Sequence, residues 1–166
     1  MKKYIAILAA SSALVSCSYT DPVEYNDAMV NKMDTLIGYH TGFNDALGRG
    51  GDTTNVAHNK YLSYSDKAIE SINKMPEYSD GTEFKNSVVQ IINNLKTAQV
   101  STGKEMMEIF QKPVDALNEA DYDRYDKLSR EFDATWEKEL DNFDKKQAEY
   151  AKSTGITIQE VGKVIK

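Results

Sequence analysis

Apolar residues recur every three to four positions from Asp21 onward, and this spacing constrains the fold more than any other feature of the chain. No segment shows the sustained alternation of apolar and polar residues that a half-buried strand requires. The sequence therefore predicts an all-α protein. With 40% hydrophobic residues over 166 positions, the chain is long enough to bury one core, which corresponds to a single domain.

The first predicted helix begins at Asp21, a residue type that caps helix N-termini, with Pro22 in its first turn. It ends at the glycine-rich run 48–51. Its apolar stripe comprises Met29, Met33, Leu36, His40, Phe43 and Leu47. Residues 52–55 offer caps for a second helix, which ends at Met75-Pro76 because the residue before proline disfavours helical angles. Its stripe comprises His58, Leu62, Ser65, Ile69 and Ile72.

A third helix is predicted to open with a capping box of Asp80 and Glu83 and to end or kink at Pro113. Gly103 interrupts it, and we expect the main departure from regular helix there. A fourth helix follows a cap at Asn118-Glu119-Ala120-Asp121 and closes at Gly155. Its stripe comprises Tyr125, Leu128, Phe132, Trp136, Leu140, Phe143 and Tyr150.

Residues 157–160 match a capping box, which predicts a short final helix with Val161, Val164 and Ile165 on its apolar side. Four amphipathic segments joined by short polar loops favour an antiparallel up-down four-helix bundle. We therefore assign residues 22–166 to one helical-bundle domain with a short C-terminal helix.

The N-terminus has the pattern of a cleaved signal peptide, which we assign to residues 1–16. Lys2 and Lys3 precede an apolar run from Tyr4 to Val15. Twelve helical residues reach about 18 Å, well short of the roughly 30 Å hydrocarbon layer of a membrane. The run is therefore too short for a membrane span.

Leu14-Val15-Ser16-Cys17 resembles the lipobox of bacterial lipoproteins. The resemblance implies cleavage before Cys17 and a diacylglycerol on its thiol, leaving residues 17–21 as a lipidated tether. Ser18 after the cysteine resembles the outer-membrane sorting signal of enteric bacteria, so we expect a lipid-anchored protein of the cell envelope, in the outer membrane. An ordinary signal peptide with an incidental cysteine is the alternative.

The charge balance argues against nucleic acid as a partner. The chain has 20 Lys and Arg against 26 Asp and Glu, a net charge of -6, whereas phosphate binding rests on clustered cations. Cleavage would remove two lysines and no acid, so the mature balance is 18 minus 26, or -8. We expect membrane contact through the lipid on Cys17 alone.

His40 and His58 form one candidate ligand site, because an antiparallel hairpin brings both to the same end of the bundle. With Met106 they could bind copper, and with Glu108 or Asp126 they could bind zinc. The alternative is a pair of amphipathic core histidines. We expect the latter, with no metal and no cofactor, since two imidazoles leave tetrahedral zinc two ligands short.

Tyr61 and Tyr64 form a second candidate, because residues three apart on a helix are neighbours. Tyrosine is enriched in interfaces, so this pair could present a flat face to a protein or a glycan. The alternative is that both rings only cover a helix with a thin apolar face.

Catalytic patterns are weak. Ser71-Ile72-Asn73-Lys74 and Ser101-Thr102-Gly103-Lys104 fit Ser-x-x-Lys, a four-residue pattern common by chance, without the other elements of such a site. The lipobox, the opening at 21–27 and the closing at 151–156 together resemble small helical surface lipoproteins of Gram-negative bacteria. That resemblance implies a membrane-tethered helical domain and supplies no catalytic residue.

Two functional hypotheses follow. The first is a non-enzymatic envelope lipoprotein whose helical domain binds a protein or an envelope component. The second is a periplasmic bundle that holds a small ligand or metal at the His40/His58 end. A filled apolar interior favours the first hypothesis, and a cavity faced by both imidazoles favours the second.

Overall fold

A computed structural model describes residues 21–76, 78 and 80–158. This part of the chain is helical and contains no β-strand, which confirms the predicted all-α class there. The helices are α1 (Pro22–Leu47), α2 (Asp52–Asn73), α3 (Thr82–Ala98), α4 (Lys104–Phe110) and α5 (Glu119–Thr154). A π-helical turn, Gln99–Gly103, joins α3 to α4, so that four long helical segments result. A 3-10 turn, Val114–Ala116, precedes α5.

Helix α1 begins and ends where the sequence predicts. The Asp21 carboxylate accepts a hydrogen bond from the Val23 backbone N–H at 2.8 Å, and Pro22 occupies the first turn, where its missing N–H leaves no unpaired carbonyl. The helix ends before Gly48, and Gly50 and Gly51 both have a φ of 67°. Because this backbone region favours glycine, the turn between α1 and α2 depends on these two residues.

The predicted side-chain caps of α2 and α3 are wrong. Gly51 and Gly81 occupy the N-cap positions, with no side-chain cap hydrogen bond at either. At α2, the Thr54 hydroxyl instead donates to the Ala46 carbonyl at 2.9 Å, so it ties α2 to the end of α1. At α3, Glu83 accepts from Lys146 of α5 at 2.9 Å, and it therefore serves a contact between helices.

The C-terminus of α2 is capped from a neighbouring helix. Lys85 of α3 is buried, and its Nζ donates to the backbone carbonyls of Met75 at 2.9 Å and Asn73 at 3.3 Å. The last carbonyls of a helix lack partners within it and carry partial negative charge. The Lys85 ammonium group donates hydrogen bonds to these carbonyls and places a positive charge beside them, and it joins α2 to α3.

The predicted interruption at Gly103 is present as the π-helical turn. The Gln99 side chain folds over Gly103, where a Cβ would lie 2.8 Å from Gln99 Nε2. The extra residue per turn in a π-helix makes room for that fully buried amide. Helix α4 ends at Phe110, three residues before Pro113.

The predicted boundaries of α5 are confirmed. Asn118 Oδ1 accepts from the Asp121 N–H and Asp121 Oδ2 accepts from the Asn118 N–H, each at 3.3 Å, which completes a capping box. Gly155 ends the helix with a φ of 74°. Residues 156–158 are not helical, and the rest of the predicted final helix, like the signal peptide and Cys17, lies outside the described residues.

The helices surround one apolar core in a bundle-like fold. Helix α1 packs on α2, α2 on α3, and both α3 and α4 on α5. Aromatic side chains connect α1 to α5: the rings of Tyr25 and Tyr150 lie 5.9 Å apart, and the Tyr150 hydroxyl donates to the Pro22 carbonyl at 3.1 Å. No helix in the described part of the chain is long and apolar enough to cross a membrane.

Candidate functional site

A surface groove runs between α1 and α2. It consists of two adjoining hollows of about 480 Å³ and 410 Å³ that share Tyr39, Val56 and Lys60. Gly38 and Gly42 line the larger hollow, and a Cβ built on either glycine would meet nothing within 4 Å. The two glycines therefore leave the backbone of α1 open to the groove.

Two tyrosines form the aromatic part of this groove. The rings of Tyr39 on α1 and Tyr64 on α2 lie 5.0 Å apart at an interplanar angle of 32°. The Tyr64 hydroxyl donates to the Lys32 carbonyl at 3.2 Å, which fixes its ring, and burial raises the pKa of this phenol above its usual value. Beside them, Val56 is 51% exposed. The groove thus offers apolar and aromatic surface to solvent.

The groove also contains three cations that form no ion pair with a described carboxylate. Arg49 and Lys60 line the larger hollow with one acid, Asp52, and Lys67 lines the smaller hollow. Among the ion pairs within the described residues, none includes any of these three cations, whereas Lys96, Lys112 and Arg124 each contact a carboxylate. On a chain of net charge -6, this groove concentrates unpaired positive charge.

The structure separates the two tyrosines that the sequence groups on one face. Tyr64 lines the groove, but Tyr61 is fully buried, with its ring 6.1 Å from Trp136. Residues three apart on a helix differ by about 60° around its axis, and the edge of the core passes between these two. The partner of Tyr64 is Tyr39, which comes from another helix.

Tyr61 is a core residue and does not reach the groove surface. Burial raises the pKa of its phenol far above the usual range, and the Ser65 side chain opposes this only in part. The Ser65 hydroxyl donates to the Tyr61 backbone carbonyl at 2.9 Å, and within the described part of the chain the phenol oxygen has no hydrogen-bond partner of good geometry.

His40 is a core-facing residue held by aromatic rings. Its imidazole stacks on Trp136 with 3.9 Å between centroids and lies 5.3 Å from Phe132. Its Nε2 is hydrogen-bonded to Asn44 Nδ2 at 3.1 Å, while its Nδ1 is buried and has no hydrogen-bond partner among the described residues. Burial lowers the pKa of His40 to about 4, so this imidazole is neutral at pH 7.

His58 has a different set of partners. It is 7% exposed, and its Nδ1 is hydrogen-bonded to Gln99 Nε2 at 2.9 Å. Burial, and then the positive charge of Lys104, lower its pKa. Within the described residues, ring contacts connect the two histidines through Phe43 and Phe132. Both imidazoles are therefore engaged separately, with phenyl rings filling the interior between them.

The described residues contain no group of three or more His, Cys, Asp or Glu side chains that could hold a metal ion. Glu108, one of the carboxylates considered for zinc, pairs instead with Lys104 at 3.6 Å. Met106 is buried in the apolar core.

Sequence reasoning missed most of the groove because its residues lie beside the apolar stripes. Two signals could have revealed it. Gly38 and Gly42 stand four apart in α1, on one side of the helix. Val56, Lys60, Ser63 and Lys67 follow one another in α2 at spacings of four, three and four, so they share a face.

Comparisons of the chain with protein-family models, with curated proteins and with solved structures found no match.

Proposed function

We propose that this protein is a lipid-anchored lipoprotein of the bacterial envelope, without catalytic activity, whose helical domain binds an anionic carbohydrate polymer in the groove between α1 and α2. The observation that carries the proposal is the combination of two adjacent tyrosine rings with three unpaired cations in one groove. The lipobox resemblance at Cys17 supports the anchor.

The chemistry of the groove suits a charged sugar. A tyrosine ring packs its face against the C–H surface of a sugar ring and keeps a polar tip for water or hydroxyls. Lysine is a flexible point charge that can pair with carboxylates at varied positions along a polymer. Lys60 and Lys67 lie two helical turns apart on α2, about 10 Å along its axis, which is enough to contact two successive acidic units.

The position of the groove agrees with an anchor at Cys17. We propose that the four helical segments form the antiparallel bundle that the sequence predicts, with α1 leading away from the tether. Gly38 lies 17 residues after Asp21, which is about 25 Å along α1. The larger hollow therefore begins well away from the tethered end and extends to Arg49 and Asp52 at the opposite end. The smaller hollow extends back along α2 to Tyr64 and Lys67, beside Lys32 of α1.

Binding of polygalacturonate by the full chain, purified from membranes in detergent, tests the proposal. We expect polygalacturonate to bind and a neutral galactose polymer of equal length not to bind. The double variant Lys60→Gln/Lys67→Gln should weaken binding about tenfold or more and reduce its dependence on salt, since two ionic contacts are lost. Tyr39→Ala should weaken binding at low and high salt alike.

The matched control is Lys138→Gln/Lys152→Gln, which removes the same charge from exposed positions of α5. It should bind as the wild type does. Equal weakening by the control pair, or equal binding of the neutral polymer, would contradict a specific site in this groove.

A further inference from the structure

A second pocket lies on another face of the protein, between α3 and α5. Its volume is about 210 Å³, and its lining is mainly polar: Ser87, Gln90 and Asn94 from α3, and Glu139, Asn142 and Lys145 from α5. Glu139 is the unusual member, because it is only 3% exposed. A charged residue buried to this extent needs compensation from its surroundings.

The compensation that Glu139 receives is incomplete. Its Oε1 accepts a hydrogen bond from Asn94 Nδ2 at 3.1 Å, and its Oε2 accepts one from Asn142 Nδ2 at 3.3 Å. A carboxylate has about four acceptor positions, so these two amides fill about half of them. Among the residues that the structure describes, no cation lies within 4.0 Å of this carboxylate. The site therefore has an unpaired negative charge at the wall of a pocket.

Of the two lysines that line the pocket, Lys145 is the one available to bind a ligand. Lys146 is already engaged, since it contacts Glu83 at 2.9 Å and Glu149 at 2.7 Å. Lys145 is exposed, takes part in no ion pair within the described range, and acts on Glu149 only at longer distance. The pocket thus has a buried carboxylate and, six residues further along α5, an available ammonium group.

We propose that this pocket binds a small zwitterion, an α-amino acid of the size of alanine or serine. Its ammonium group would donate to Glu139, and its carboxylate would accept from Lys145. The hydroxyl of Ser87 and the amide of Gln90 are the neutral groups that meet the remainder of the ligand. A volume of 210 Å³ corresponds to about seven water-sized groups, which fits a molecule of this size and excludes large side chains.

This proposal does not depend on the groove between α1 and α2, because the two sites share no residue. It also differs from the small-ligand site considered at His40 and His58, where phenyl rings fill the interior.

Titration calorimetry on the full chain in detergent tests the pocket, with L-alanine, ethylamine and propionate as three probes. Alanine should bind more tightly than either single-charge probe. Glu139→Gln, which keeps the side-chain shape, should weaken alanine binding about tenfold or more. Lys145→Gln should weaken alanine binding as well but leave ethylamine binding unchanged, because ethylamine has no carboxylate for it to meet.

Lys138→Gln, an exposed change on the same helix outside the pocket, is the matched control and should leave all three affinities as they are. If Glu139→Gln does not fold, the exposed Lys145→Gln variant decides the question alone. Absence of alanine binding at millimolar concentration, or alanine binding that is unaffected by Lys145→Gln, overturns the proposal.

Discussion

Single buried polar side chains determine much of the local chemistry of this protein. Gln99 bonds to His58, Lys85 caps α2, and Glu139 binds two asparagine amides, each from a buried position. A buried polar group costs free energy unless it is paired, so each of these residues holds its neighbours in one arrangement. Their pairing is not complete everywhere: among the described residues, Gln99 Oε1 and His40 Nδ1 are buried without a hydrogen-bond partner.

We expect His40 to make the stability of the protein depend on pH. Its pKa is lowered to about 4 in the folded state, against about 6.5 when unfolded, because burial disfavours the charged imidazolium. Between these values the unfolded chain binds more protons, so stability is complete above pH 6.5 and falls as the pH decreases toward 4. At pH 5 the free energy of unfolding should be about 2 kcal/mol lower than at pH 7.

Urea unfolding followed by circular dichroism at pH 7 and pH 5 measures this difference. His58, whose pKa is also lowered, adds a contribution of the same sign. His40→Phe keeps an aromatic ring beside Trp136 and cannot titrate, so it should lose most of the pH dependence. An unchanged dependence in this variant would show that other groups cause it.

The sequence predicts that both histidines lie on apolar stripes, and each does face the interior. It could not predict their partners. Asn44 is four residues from His40, so helix spacing could have predicted that contact, but Gln99 is 41 residues from His58. Such a contact depends on the rotation of α3 against α2, which periodicity alone does not determine.

At the scale of elements, the boundaries that local chemistry determines were predictable, and those that neighbouring helices determine were not. The caps at Asp21 and Asn118 follow from residues within three positions of each other. The end of α2 depends on Lys85 of another helix, and Glu83 is held by Lys146 instead of serving as a cap. The π-helical turn depends on both local sequence and packing. Gly103 has no Cβ and so leaves space beside the turn, and the buried Gln99 side chain occupies that space.

Gly103→Ala and Gly38→Ala form a matched pair that tests this turn. Both glycines lie in helical segments, where alanine is favoured by up to about 1 kcal/mol. At Gly38 a Cβ meets nothing, so alanine should stabilise the protein by about 0.5 to 1 kcal/mol. At Gly103 it would displace Gln99 Nε2 from its hydrogen bond to His58, so we expect a net loss of about 1 kcal/mol or more.

Thermal and urea unfolding of both variants provide the measurement. A stabilising Gly103→Ala would mean that Gln99 moves aside without cost and that the bond to His58 contributes little.

At the scale of the whole molecule, the described faces differ in charge. The groove between α1 and α2 has three unpaired cations, whereas the hollow at the α3–α5 end where α1 begins contains Asp80, Glu83 and Glu149 around a single Lys146. The net charge of -6 conceals this division. Composition gives only the sum of these charges, whereas a ligand meets their local distribution.

The anchor has its own prediction. Cys17→Ala removes the residue that the lipobox resemblance identifies as the site of lipid attachment, so the variant should keep its signal peptide and lose the diacylglycerol. Mass spectrometry of the intact protein, expressed in a Gram-negative host, measures both changes. Ser18→Ala, next to the site, should be processed and lipidated as the wild type is. An unmodified Cys17 in the membrane-bound wild type would contradict the anchor.

The stacking of His40 on Trp136 also gives the protein a built-in optical reporter. Trp136 is the only tryptophan in the chain and is buried, so its ultraviolet emission comes from a single environment. An imidazolium cation at 3.9 Å from an indole ring quenches its fluorescence, whereas a neutral imidazole does so far less. The brightness of the native protein should therefore fall as His40 gains its proton, and one acid titration in a cuvette would record the ionisation of one side chain without any added label.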